Sequence, residues 1–260
     1  MVSKVTKRTD ETGINNFGSK MIIVEYRSSR DIDVYFPEYD WIAKSTRYDA
    51  FKKGEIKCPY EPRVYGVGYV GEGKYKTKEN GKHTKCYRTW YDMLRRCYDE
   101  KNLKRNPTYV NCKVSESFHN FQNFAKWYYD NYYQIEGERM ELDKDILVKH
   151  NKIYSPETCV FVPETINLLF TKRQNDRGES VIGTSPTKSS KYVVHCSIIN
   201  PETGKSKSKY LGTYDTEIEA FEVYKYYKEK NIKEVADYFK NKIPNKLYNV
   251  MYNYEVETTD

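Results

Sequence analysis

Hydrophobic and polar positions change their period several times along the chain, and each change marks an element. Met21–Tyr26 reads as an apolar strand, and Asp31–Phe36 alternates, with Ile32, Val34 and Phe36 on one side. Pro37, a loop, Tyr48–Lys53 and a turn at Gly54 follow. Val64–Gly73 is strand-like but rich in glycine. Together residues 19–73 predict a small β-barrel or meander. The Gly66, Gly68, Gly71 spacing imitates a dinucleotide fingerprint, but no helix of the required pattern follows it.

A helical period begins after the linker at 74–84. Trp90, Met93, Leu94, Cys97 and Tyr98 fall on one side of a helix over Tyr87–Tyr98, with Arg88, Arg95 and Arg96 on the other. Asn106-Pro107 breaks the chain before a short strand around Tyr109–Val114. A second helix starts near Ser115 or Ser117 and carries the apolar seam Phe118, Phe121, Phe124, Trp127 and Tyr128. Met140–Leu147 then reads as a strand ending in acidic residues, His150–Thr158 as a polar turn region, and Cys159–Val162 as a second strand. Pro163 suits the start of a helix that carries Asn167.

Polar Thr171–Glu179 predicts a domain boundary. Beyond it come strands at Val181–Ser185, Tyr192–Ile199 and Ser206–Tyr214, with a hairpin turn at Pro201–Gly204. Thr216 and Glu219 form a capping box opening a helix with Ala220, Phe221, Tyr224 and Tyr227 inward. A final helix, Ile232–Ile243, stops at Pro244, and Tyr248–Val256 docks back on it. The pattern is that of a multidomain α+β protein: a disordered 1–18, a small β domain 19–73, a linker 74–84, and globular regions 85–172 and 173–260.

Composition narrows the class. Among 260 residues 38% are hydrophobic and 27 are Tyr, so aromatic rings supply much of the burial. No apolar run is long enough to span a membrane, and the first residues lack the apolar core of a signal peptide. A cytoplasmic protein without membrane attachment is the expectation, with a monomer favoured. The six cysteines form no Cys-x-x-Cys pair. They read as small buried hydrophobes, with a zinc site from Cys97, Cys112 and Cys159 as the alternative. The net charge of +7 is concentrated. Residues 74–105 hold 11 Lys or Arg against 4 Asp or Glu, and residues 171–209 hold 8 against 3. Such stretches, interleaved with Tyr and Trp, suit a phosphate polyanion.

The chemistry centres on residues 141–167. Two oxygen-bearing side chains facing each other across a strand–strand–helix unit hold one hard cation and leave its other positions to water and phosphate. Asp143, Asn151, the Ser155-Pro156-Glu157 turn and Asn167 occur in the order that resembles the ββα-metal (HNH) nuclease motif, in the HNN variant of phage and intron-encoded endonucleases. The resemblance implies that Asp143 and Asn167 ligate Mg²⁺ or Mn²⁺, that Asn151 braces the loop, and that double-stranded DNA is the substrate. Asp145, two residues along, is a second candidate ligand or a loop-capping residue. Where the family places its water-activating His, this chain has Lys144. The general base is then His150, a hydroxide on the metal, or Lys144 itself. No small-molecule cofactor is implied.

The three strands and helix around Tyr210-Leu-Gly-Thr-Tyr-Asp-Thr-Glu-Ile-Glu-Ala220 resemble an APETALA2-type DNA-binding domain, whose sheet enters the major groove. Alternation puts Tyr192, Val194, Cys196 and Ile198 toward the helix and His195, Ser197, Ser208 and Tyr210 toward DNA. Lys188, Lys191 and Lys207 supply charge in place of the family's arginines, which implies phosphate contact with weak base readout. The β domain over 19–73 has the small-barrel pattern of a Src-homology-3 fold, and no role is legible in it. Metal-dependent DNA cleavage is the leading expectation. A DNA-binding protein with a degenerate nuclease fold is the alternative, and an interaction protein working through the β domain is a third.

Overall fold

A computed structural model describes residues 8–171 and 180–260. In chain order its elements are β1 (Thr12–Ile14), β2 (Lys20–Ser28), β3 (Asp31–Phe36), β4 (Trp41–Thr46), α1 (Tyr48–Lys52), β5 (Lys78–Glu79), β6 (Lys82–His83), α2 (Lys85–Tyr98), α3 (Glu100–Arg105), β7 (Lys113–Val114), α4 (Glu116–His119), α5 (Phe121–Asn131), β8 (Met140–Asp143), β9 (Ile153–Tyr154), β10 (Val160–Pro163), α6 (Glu164–Phe170), β11 (Thr184–Pro186), β12 (Tyr192–Ile199), β13 (Ser206–Tyr214), α7 (Glu217–Phe239) and α8 (Asn245–Tyr252). They form two compact units. One reaches to Asp130 and takes in Ile153–Pro156, and the other comprises Asn131–Lys152 with Glu157–Asp260.

In the first unit the β domain is an open meander, β1-β2-β3-β4, each strand antiparallel to the next, and not a closed barrel. Closure is unnecessary because Phe51 of α1, with Ile56 and Cys58 after it, covers the apolar face formed by Met21, Ile23, Ile32, Val34 and Phe36. Within the expected disordered stretch, Thr12–Ile14 is strand β1 of this sheet and residues 15–18 form the turn after it. Asn15 is buried, and its side-chain oxygen accepts from the amides of Phe17 (3.0 Å) and Ser19 (2.9 Å). That turn returns β1 onto β2, so a polar sequence is ordered by hydrogen bonds instead of apolar burial.

The glycine-rich 64–73 stretch is not a strand of this sheet. It carries only isolated bridges, Val64 with Gly68 and Tyr69 with Asn120. A Cβ at Gly68 would stand 2.4 Å from Leu94, so the missing side chain lets this segment lie directly on α2. The expected second long helix is broken at Asn120, whose extended backbone takes the bridge to Tyr69. Its side chain then caps α5 through the Gln122 amide at 2.9 Å. Trp90, Phe118, Phe121 and Phe124 are wholly or almost wholly buried and meet edge to face.

The second unit has one core. Ile146, Val160, Val162, Ile166 and Leu169 pack together with Val194, Cys196, Phe221, Val235 and Phe239. The strand–strand–helix segment therefore shares its interior with the downstream sheet and helix, instead of forming a separate domain ending near 172. The boundary expected at Thr171–Glu179 falls almost wholly on 172–179, outside the described residues. β11-β12-β13 form an antiparallel sheet packed on α7. The first of these strands begins at Thr184 because Val181–Thr184 is a turn, with Gly183 at φ +79° against Tyr224. The two expected helices over 217–243 are one, α7, capped by Thr216 and Glu219. Asn231 is turned inward, donating to the Ile199 carbonyl and accepting from the Ile199 amide, both at 2.9 Å. No helix among the described residues is long and apolar enough to cross a membrane.

Candidate metal and nucleic-acid site

β8 alternates, burying Met140 and Leu142 and leaving Glu141 and Asp143 half-buried. It pairs antiparallel with the fully buried β10, with Asp143 opposite Val160. Pro163 then starts α6, which packs on both strands and anchors itself through Ile166 and Leu169. Asp143 and Asn167 thus stand on elements in direct contact. Asn167 is half-buried, and its backbone carbonyl accepts from the Thr171 hydroxyl at 3.1 Å.

Asp143 ends its strand with its own side chain. One carboxylate oxygen accepts from the amides of Asp145 (2.8 Å) and Ile146 (2.7 Å), an Asx turn that reverses the chain. Burial, and then the neighbouring Asp145 carboxylate, push the Asp143 carboxyl up to about 6 from an ordinary 3.8, against the pull of those two amides. A carboxylate that is desolvated and faces a like charge is stabilised by a cation. Asp143 is therefore a group whose ionised form a divalent cation would stabilise. Among the described residues no three His, Cys, Asp or Glu side chains cluster as a metal set. A hard, oxygen-loving ion that keeps several waters fits two protein ligands. Zinc does not, and Cys97, Cys112 and Cys159 are buried thiols in no disulfide.

The other predicted residues divide. Asn151 donates its side-chain amide to the Lys144 carbonyl at 2.6 Å and closes the loop. Lys144 is only 7% exposed, and its ammonium meets Asp145 at 3.0 Å. Asp145 is thereby ion-paired within the loop and offers one less oxygen to a metal. His150 is exposed, takes the left-handed φ of +61°, and directs Nε2 to Glu257 at 3.5 Å. Lys149, which sequence reasoning passed over, sits over the Tyr254 ring at 4.4 Å and pairs with Glu257 (3.1 Å) and Asp260 (3.2 Å). The segment 254–260 thus holds the loop from outside, and no local pattern announces a contact so distant in sequence.

On the sheet, His195 lies opposite Tyr210 with ring centroids 5.5 Å apart, and Ser197 lies opposite Ser208. These four are exposed on the side away from α7, while Val194 and Cys196 are buried against it. A bulge at Val194/His195 takes up Leu211. Lys207 pairs with Ile198, so it belongs to the helix side of the sheet and not with Ser208. Lys188 is exposed in the β11–β12 turn, and Lys191 pairs with Asp215 at 2.8 Å. In the first unit Arg88 is exposed, Arg95 pairs with Asp92 at 3.0 Å, and Arg96 lies over the Tyr109 ring at 5.9 Å. Comparison with family models, curated proteins and solved structures finds no match to this chain.

Proposed function

We propose that this chain is a metal-dependent DNA endonuclease of the ββα-metal type, with duplex DNA held by the exposed face of the β11-β12-β13 sheet. The observation that carries the reading is Asp143 at the end of β8. One of its oxygens is saturated by backbone amides, its charge is disfavoured without a cation, and its loop is tied by Asn151. In this reading Asp143 and Asn167 hold Mg²⁺ or Mn²⁺. When bound, the ion supplies charge stabilisation at the scissile phosphate and the leaving oxygen. Lys144 is buried and paired with Asp145, which leaves it badly placed to act as the base. The base is then His150, which is exposed with Nε2 toward Glu257, or a hydroxide that the metal would supply when bound.

The second reading, a DNA-binding protein that keeps this fold without cutting, is favoured by the same Lys144, which stands where an imidazole is required. Incubating supercoiled plasmid with Mg²⁺ or Mn²⁺, alongside a gel-shift titration, separates them. Cation-dependent nicking supports the nuclease, and a shift without cutting supports the binder.

A further inference from the structure

The segment expected to be a linker, 74–84, is a two-stranded hairpin, β5 against β6, with Lys78 opposite His83 and Glu79 opposite Lys82. Asn80 (φ +49°) and Gly81 (φ +76°) make its turn, the left-handed pair that matches the twist of a tight hairpin. Both bases are anchored. On the entering side Gln122 of α5 accepts from the Tyr75 amide and donates to the Tyr75 carbonyl, both at 3.0 Å. On the leaving side the Thr84 hydroxyl caps α2 through the Tyr87 amide at 3.1 Å, and the Thr84 amide donates to the Thr77 carbonyl at 3.1 Å. The His83 ring stacks on Tyr87 with centroids 4.7 Å apart. The hairpin is thus held out on a braced base.

What it presents is charge. Lys74, Lys76, Lys78 and Lys82 are all exposed, Glu79 is the one acidic residue over 74–85, and among the described residues none of the four lysines makes an ion pair. The neighbouring rings are already engaged, Tyr75 stacked on Tyr129 (5.4 Å) and Tyr87 against His83 and Trp90. Point charges without free stacking faces suit the phosphate backbone of a duplex and not the bases of a single strand. A two-stranded ribbon also lies within the width of the major groove.

We infer that the β5–β6 hairpin is a second DNA-contact element, binding duplex phosphates through Lys74, Lys76, Lys78 and Lys82 without reading sequence. The inference rests on the proposed DNA-directed function and extends it to a surface outside the ββα unit and the β11-β12-β13 sheet. The test is fluorescence anisotropy of the full chain with a labelled duplex of arbitrary sequence, titrated with salt. It compares wild type with the quadruple variant Lys74→Ala, Lys76→Ala, Lys78→Ala, Lys82→Ala. Each lost phosphate contact removes about 0.9 from the slope of log affinity against log salt, so the slope should fall by about 2 to 4. A companion Gly81→Val variant keeps every charge but strains the turn, and it should weaken binding with little change in thermal stability. If wild type binds duplex and the quadruple variant keeps the same slope, the hairpin assignment is overturned while the DNA reading stands. If wild type binds no duplex at low salt, the functional reading itself falls. Preference of the hairpin contribution for a single strand of equal length overturns the duplex assignment.

Discussion

The side chain of Asn151 donates to the backbone carbonyl of Lys144 across seven residues of chain, at 2.6 Å. That bond closes the loop leaving Asp143, and Ile146, 3% exposed, pins the middle of the loop into the core. Replacing Asn151 by Ala leaves the Lys144 carbonyl without this donor. The change should cost about 1–3 kcal/mol of stability, read as a lower urea midpoint with an unchanged m-value. Cation-dependent cleavage should fall further than stability does, because the Asp143 carboxylate loses its support.

Asp143 makes the protein's stability depend on pH in the direction opposite to most carboxylates. Its folded pKa, about 6, lies above the ordinary 3.8. The folded state therefore holds this proton more tightly than the unfolded chain. Stability from this group is lost as pH rises from near 3.8 to about 6 and stays lost above it. Asp143→Asn keeps an oxygen for the Asp145 and Ile146 amides and removes the charge. It should be more stable than wild type at pH 7–8 without metal, by about 1–3 kcal/mol, and no more stable near pH 4. Thermal denaturation of both proteins across that range checks this. The difference between them cancels other carboxylates, such as Asp33 and Glu257, which arginine or lysine partners hold below their usual range. Mn²⁺ should stabilise wild type alone, and its affinity should weaken below about pH 6, where protons compete for the carboxylate.

Asn231 is the polar residue on which the second unit's sheet depends. It is 2% exposed and satisfies both the amide and the carbonyl of Ile199, where β12 turns into its hairpin. Asn231→Ala strands two buried backbone groups and should cost about 2–4 kcal/mol. Amide exchange should quicken first at Ile199, and duplex binding through His195 and Tyr210 should weaken with it.

How much of this was legible depended on whether local pattern or distant contact sets the structure. β12 and β13 occupy the predicted residues, since Val194 and Cys196 alternate with His195 and Ser197 and Gly204 supplies the turn (φ +65°). The Thr216–Glu219 cap is likewise local, and both its bonds form at 3.2 Å. Asn15, Asn120 and Asn231 hid their roles, because a polar residue satisfying buried backbone reads in sequence as a loop or a break. The Asn80-Gly81 turn was a legible hairpin signal, passed over because its flanking strands are charged and only two residues long. In the candidate site, Asp143 and Asn151 were named through the family resemblance, and the bond from Asn151 to the Lys144 carbonyl is what the fold adds. The pairing of Lys144 with Asp145, and of His150 with Glu257, required the fold.

The central claim is that Asp143 and Asn167 support cation-dependent cleavage. Its most direct measurement is the first-order nicking rate of supercoiled plasmid with Mg²⁺ or Mn²⁺, for wild type, Asp143→Ala and Asn167→Ala, with a chelator control. The account predicts nicking that needs the cation and falls about a hundredfold or more in each variant. Duplex binding by the full chain should be retained in both. Cleavage that survives both substitutions would contradict the account, as would a wild-type protein that shifts DNA yet never cuts it with either metal.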